Sequence, residues 1–177
     1  MSGQGAQRAA KKRLYLVGGA MGVGKTAACR ALQNLLPRCV FLDADWLWDA
    51  KPFTVTGETR AMVLDNIAHC LNNFLSCSAY ENIVFCWVLD RPEIWQAVES
   101  GLRPHGAQVV RIALTCAPET LAERLGRDIE AGVRAPDVLP RSLRRLPLFE
   151  ALPGVTLLRT DGLTPRSVAR RMAACAT

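Results

Sequence analysis

Residues 19–26 read Gly-Ala-Met-Gly-Val-Gly-Lys-Thr and fill every fixed position of the pattern G-x-x-x-x-G-K-[ST]. The pattern is informative only when it closes a strand and opens a helix. The apolar run Leu14–Val17 before it and the amphipathic stretch Lys25–Leu36 after it meet both conditions. The glycines let the backbone turn so that successive N–H groups converge on a polyphosphate. A helix beginning near Lys25 adds its positive dipole end, the Lys25 ammonium can reach β- and γ-phosphates, and the Thr26 hydroxyl is a ligand for Mg2+. Gly19, Ala20, Met21, Gly22, Val23, Gly24, Lys25, Thr26 and Ala27 are therefore the expected nucleotide-binding residues, with ATP and Mg2+ as the expected cofactors.

From Leu14 onward, short apolar runs alternate with helical periodicity. Strands are expected at Leu14–Val17, Cys39–Asp43, Asn82–Leu89, Val109–Thr115 and Val155–Arg159. Helices are expected at Lys25–Leu36, Glu58–Leu75, Pro92–Leu102, Pro118–Ile129, Ser142–Leu152 and Thr164–Ala174. With right-handed crossovers this predicts a helix-covered, mainly parallel sheet; the resemblance of residues 19–26 to a P-loop implies a three-layer α/β/α P-loop NTPase fold, its five-stranded parallel sheet in the order 2-3-1-4-5. Residues 1–13 are small, polar and basic, and read as a disordered arm. Residues 14–177 then form one domain, with a lid at about 126–142.

Charge and cysteine content narrow the setting. Of the 22 basic residues 18 are Arg, against 16 acids, for a net charge of +6. The arm carries four of these charges (Arg8, Lys11, Lys12, Arg13), and the stretch from Arg124 to Arg145 carries six Arg against Asp128, Glu130 and Asp137. The rest is close to neutral, so the Arg excess points to triphosphate chemistry rather than to a nucleic-acid surface. Seven cysteines without a Cys-x-x-Cys pair argue against a disulfide framework or zinc site and predict buried free thiols. The longest apolar run, Ile83–Leu89, is far short of the ~18–20 residues of a membrane span, and no signal-peptide pattern opens the chain. A cytoplasmic protein, monomer or homodimer, is expected, with neither membrane nor nucleic acid as partner.

No N-K-x-D guanine motif, LSGGQ-like segment or strand ending in Asp-Glu accompanies the loop. After residue 13 the chain resembles the small P-loop kinases: nucleoside-monophosphate kinases, shikimate and gluconate kinases and chloramphenicol phosphotransferases. Within that group it is similar to bacterial proteins described as nucleotide kinases or AAA-family ATPases, sharing an Asp-x-x-Trp segment (Asp43 to Trp46) and Cys86-Trp87-Val88. The resemblance implies transfer of the γ-phosphoryl group of Mg·ATP to a hydroxyl or phosphate of a small acceptor. Strand alternation would put Asp43 and Asp45 on one face at the carboxyl end of the second strand, where ligands bind in such sheets. By resemblance, Asp43 serves the metal and Asp45 is general base for the acceptor; an ordinary helix cap is the other reading of this Asp pair. The third strand has no acid before Asp90, so Asp43 must replace the usual Walker-B carboxylate, with Asp90 in reserve.

Arg124, Arg127, Arg134, Arg141, Arg144 and Arg145 are interrupted by Gly132, Pro136 and Pro140, the composition of a lid. Planar guanidinium forks suit charge spread over phosphoryl oxygens, and in the resembled kinases such arginines contact phosphates. Arg124, Arg134 and Arg145 match that pattern; Arg127 and Arg141 are reserves, and a solvated basic helix face is the alternative. Trp46, Trp48, Phe53 and Trp87 either line an acceptor pocket or pack the core. Thr160–Pro165 is a turn that relatives place against adenine and that helix capping by Thr164 explains equally well. Two other functions stay open at this point: a regulatory protein that binds and hydrolyses NTP, and a kinase acting on nucleic acid.

Overall fold

The computed structural model describes residues 12–176. Its elements are β1 (Arg13–Gly19), α1 (Lys25–Leu35), β2 (Cys39–Asp43), a 3-10 turn (Ala44–Leu47), α2 (Gly57–Ser76), β3 (Asn82–Cys86), α3 (Pro92–Ser100), β4 (Gln108–Thr115), α4 (Pro118–Glu130), α5 (Val138–Glu150), β5 (Thr156–Arg159) and α6 (Pro165–Ala174). All strand pairs are parallel, in the order β2-β3-β1-β4-β5. Each link must therefore cross a face of the sheet. Helices α1 and α6 pack together on one face, and α2 with α3 and α4 with α5 cover the other.

The three central strands are buried on both faces and read as nearly continuous apolar runs. Leu14–Val17 of β1, Ile83–Cys86 of β3 and Ile112–Leu114 of β4 are closed to solvent. The edge strand β5 differs, being mostly exposed, with Leu157 open to solvent. Helix α2 starts with a reciprocal capping box between Thr56 and Thr59 and buries Val63, Ile67, Leu71 and Leu75 at four-residue spacing. Val63 is buried and its neighbour Met62 is exposed.

Several expected boundaries move for identifiable reasons. β1 begins one residue earlier, at Arg13, and the Lys12 ammonium donates to the Leu75 and Cys77 carbonyls at the end of α2, both at 2.6 Å. Residues 1–11 of the expected arm lie outside the described residues. β3 stops at Cys86 rather than Leu89. The chain leaves the ladder there, although Trp87 still donates to the Val17 carbonyl at 3.1 Å, and Leu89 stays buried against Gly18. α5 begins at Val138, four residues before the expected start, because Pro140 falls in the first turn, where a missing N–H costs no helical hydrogen bond. Between α4 and α5 only residues 131–137 are non-helical, so the expected lid at 126–142 is largely the ends of two helices.

All seven cysteines are free; Cys29, Cys86 and Cys116 are fully buried. The other four are not, so the expectation of buried thiols holds for part of the set. Among the described residues no helix is long and apolar enough to cross a membrane.

Candidate functional site

Parallel strands bring Gly19, Asp43 and the exit of β3 to one carboxyl edge. The loop after β1 turns through Gly22 (φ 82°) and Gly24 (φ 100°), left-handed conformations that side chains rarely adopt. Gly22 is also closely covered: a Cβ there would lie 2.6 Å from Leu125 Cδ2 of α4. Val23 is buried beneath the loop, whereas Gly24, Thr26 and Ala27 face solvent around the start of α1. The loop thus has a sealed side against α4 and an open side above α1.

The polar side chains converge on that open side. Lys25 Nζ donates to the carbonyls of Gly19 (2.9 Å) and Ala20 (3.0 Å). Part of the lysine surface stays open, but its ammonium is folded under the loop, and burial lowers its pKa against the opposing pull of Cys86, Asp45 and Asp43. Thr26 Oγ1 donates to Asp43 Oδ2 at 2.8 Å, and Asp43 Oδ1 accepts the Asp45 N–H at 3.2 Å. Asp43 therefore also caps the 3-10 turn, the ordinary helix-cap reading of this Asp pair. Asp45 lies in that turn and not on the strand, so its approach to Asp43 comes from the turn rather than from strand alternation. Its pKa is raised by partial desolvation and by the Asp43 charge, with Lys25 and Arg134 acting in the opposite sense.

The second-strand carboxylate stands where the third strand has none. Asp43 pairs in register with Cys86, and its hydrogen bond to Thr26 offers two adjacent oxygen donors of the kind a hard divalent cation takes, with waters and phosphate completing the shell. These residues fit Mg2+. Asp90 is engaged elsewhere: only 6% exposed, it pairs through Oδ2 with Arg145 Nε at 3.2 Å and through Oδ1 with Arg91 Nε at 3.6 Å.

The arginines divide by their partners. Arg124 is tied into the sealed side of the loop: Nη1 donates to the Val23 carbonyl and to Thr160 Oγ1, both at 3.0 Å, and Nη2 to the Thr160 carbonyl at 3.1 Å. Arg134 sits in the 131–137 turn, paired with Asp128 at 2.9 Å and close enough for its charge to act on Asp45. Arg145 reaches back from α5 to Asp90. The reserves face away: Arg127 Nε donates to the Glu123 carbonyl of its own helix at 3.4 Å, and Arg141 pairs with Asp137 at 3.2 Å.

The four aromatic residues do not form one cluster. Trp46 meets Phe41 edge-on at 5.3 Å, and the Arg30 guanidinium of α1 lies over both rings at 4.8 and 4.9 Å. This stack is on the α1 side of β2. Trp48 and Phe53 pair separately at 4.8 Å, leaving Phe53 59% exposed. Trp87 is half-buried at the exit of β3. A groove of about 510 Å3 between α3 and the α5–β5 link, lined by Trp95, Glu99, Arg111, Leu152 and Val155 among others, contains none of the carboxyl-edge residues.

Thr160, which the sequence reading placed only in a turn against adenine, has a tie to the loop that the sequence did not reveal. Its hydroxyl, at the end of β5, approaches the carbonyls of Val23 (3.3 Å) and Thr115 (3.2 Å). The next residue, Asp161, accepts the Ala117 N–H at the start of α4 at 2.8 Å, a bond that holds its pKa low. The only sequence signal was a Thr at the carboxyl end of an apolar strand.

Residues 16–135, which hold the loop, Asp43, Asp45 and the start of the arginine segment, match the AAA domain family. The chain belongs to this family. No curated protein matches it in sequence. Solved structures share the fold over nearly the whole chain. The tunicamycin resistance protein of Deinococcus radiodurans is similar with a TM-score of 0.72 at 21% identity, covering 93% of this chain and 95% of that one. A sugar kinase from Janibacter sp. gives 0.69 at 20% identity, covering 94% and 99%. A gluconokinase from Sinorhizobium meliloti gives 0.65 at 18% identity, covering 96% and 95%. This AAA-domain protein thus shares its fold with proteins that include a sugar kinase and a gluconokinase.

Proposed function

We propose that this protein is an ATP-dependent small-molecule kinase, transferring the γ-phosphoryl group of Mg·ATP to a hydroxyl or phosphate of a small acceptor. The observation that carries the reading is the Thr26–Asp43 hydrogen bond at 2.8 Å. An oxygen pair of this kind near Lys25 suits a cation, and a second carboxylate, Asp45, follows two residues on. A loop alone would hold a nucleotide; a second, partly desolvated carboxylate at the same edge is what transfer to a hydroxyl requires. Fold neighbours that include a sugar kinase and a gluconokinase agree with this reading.

In this mechanism the loop N–H groups and Lys25 bind the β- and γ-phosphates, Lys25 exchanging its two carbonyl partners for phosphate oxygens. Thr26 and Asp43 would hold Mg2+, which when bound neutralises charge on the phosphoryl oxygens. Asp45 accepts the proton of an acceptor hydroxyl as that oxygen bonds to the γ-phosphorus and the bond to the ADP oxygen breaks. A raised pKa makes Asp45 a better proton acceptor than an ordinary carboxylate while leaving it ionisable. Arg134, within the α4–α5 connection, and Arg145, on α5, supply positive charge to the transferring group as that connection closes, excluding water. Trp48 and Phe53 offer an apolar wall to the acceptor.

The test is ADP release from Mg·ATP in the presence of pooled sugars, nucleosides, nucleotides, hydroxy acids and antibiotics, with Lys25→Ala as the blank. At least one pool should stimulate release above the acceptor-free rate. Steady hydrolysis that no pool stimulates would contradict the proposal and favour a regulatory NTPase.

A further inference from the structure

The phosphate loop is held from behind at one atom, the Val23 carbonyl oxygen. Arg124 Nη1 donates to it at 3.0 Å, and the Thr160 hydroxyl lies 3.3 Å away, sharing its one proton between this oxygen and the Thr115 carbonyl at 3.2 Å. Both tying groups are themselves fixed. Thr160 is only 3% exposed, and its backbone N–H donates to the Thr115 carbonyl at 2.9 Å. Arg124 is held by both oxygens of Thr160, and its helix is pinned at its start by Asp161.

The peptide bond carries this constraint forward. In a planar trans unit the C=O and the following N–H point in opposite directions. With the Val23 carbonyl directed at Arg124 and Thr160, the Gly24 N–H is directed to the open side, where Gly24 is exposed and Lys25 and Thr26 begin α1. Gly24, at φ 100°, has no side chain to resist rotation of that peptide. Its orientation therefore depends on whatever grips the Val23 oxygen.

We infer that Arg124 and Thr160 are positioning residues for the phosphate loop: they lock the Val23–Gly24 peptide so that the Gly24 N–H faces the phosphates, and they touch no phosphate themselves. This inference rests on the proposed binding of a triphosphate at the loop. It moves Arg124 from the lid arginines to the scaffold of the loop and gives the 160–161 turn a share in phosphate affinity as well as any contact with a base.

The experiment compares binding of ADP, a non-hydrolysable ATP analogue and inorganic triphosphate to wild type, Thr160→Val, Thr160→Ser, Arg124→Met and Arg124→Lys. Loss of one well-aimed N–H to a charged ligand corresponds to about tenfold in affinity. Thr160→Val and Arg124→Met should each weaken all three ligands by a similar factor of that order. Combining them should add little, because both act through one carbonyl. Thr160→Ser, which keeps the hydroxyl, should bind as wild type. Arg124→Lys, which keeps the charge but loses the fork across Val23 and Thr160, should behave like Arg124→Met. The inference is overturned if Thr160→Val binds normally while Arg124→Met does not. It is also overturned if Arg124→Lys restores affinity, the mark of a direct phosphate contact, or if triphosphate binding is untouched while ADP weakens, the mark of a base contact. Should Thr160→Val fail to fold, the Arg124→Lys and Thr160→Ser pair decides alone. Absence of triphosphate binding by wild type would instead remove the loop reading itself.

Discussion

The two ends of the carboxyl edge are built in opposite ways. Around the phosphate loop polar groups are already committed: Lys25 to two carbonyls, Thr26 to Asp43, Arg124 to Val23 and Thr160, Asp161 to Ala117. Around the segment that we assign to the acceptor, apolar surface is left open instead: Phe53, Val55 and Met62 are exposed, and Val133, in the turn between α4 and α5, is 71% exposed. On the proposed function the contrast follows from two tasks. Phosphoryl transfer needs donors placed before the ligand arrives, since their reorganisation would otherwise add to the barrier. An acceptor pocket can be completed by the acceptor and by closure of the connection over it, which returns hydrophobic burial at that moment.

The sharpest way to break the comparison is at its rigid end. Lys25→Ala should reduce nucleotide turnover by at least about 100-fold, the scale of losing one preorganised charge-stabilising group. Far-UV circular dichroism should be unchanged, because the lysine's partners are two carbonyls that solvent can satisfy. Retained turnover would mean that the loop is not the phosphate site.

Stability provides a second contrast. Phe85, fully buried in β3, should cost about 3–5 kcal/mol when changed to Ala. Phe53→Ala should stay within about 0.5 kcal/mol in urea melts, as exposed substitutions do, although it removes an aromatic pair. A large loss at Phe53 would show that the Trp48–Phe53 pair is a structural element and not an open wall.

A finer prediction concerns Asp45. Its raised pKa means that the native state holds the proton more tightly than the unfolded chain does. That contribution is fully present below the unfolded carboxylate pKa and is lost as pH rises through the higher folded value. Asp45→Asn should accordingly melt at a higher temperature than wild type at pH 7, with the gap closing in acid. Carboxyl 13C titration should show the Asp45 midpoint falling in Asp43→Asn, which removes a like charge, and rising in Arg134→Met, which removes an opposite one. An unshifted midpoint in both variants would separate Asp45 from the groups assigned around it.

Sequence legibility follows the same divide. The loop and the placement of Asp43 were readable because a strand, a glycine-rich turn and a helix start are local events with fixed residue demands, whereas the sheet order came from the family resemblance that the loop carries. Trp87-Val88-Leu89 reads as strand because it is as apolar as Ile83–Cys86, yet Leu89 is buried by packing above Gly18 and not in a ladder. Pro140 reads as a break but lies in a first turn that tolerates it. The partners of long side chains were the least legible. Nothing in the spacing of Arg124 distinguishes a phosphate ligand from a tie to Val23. Nor did anything in Trp46 announce that Arg30, on another element, would cover it. Those are tertiary contacts, and only the folded chain supplies them.

The central claim is that one end of this edge holds the triphosphate while Asp45 directs it to an acceptor. Its most direct test measures Asp45→Asn twice: affinity for a non-hydrolysable ATP analogue, and acceptor-stimulated ADP release with the stimulating compound. The account predicts unchanged analogue affinity and transfer reduced by about 100- to 10,000-fold, the range expected for loss of a general base. Full transfer by Asp45→Asn, or loss of analogue binding in parallel with loss of transfer, would contradict it.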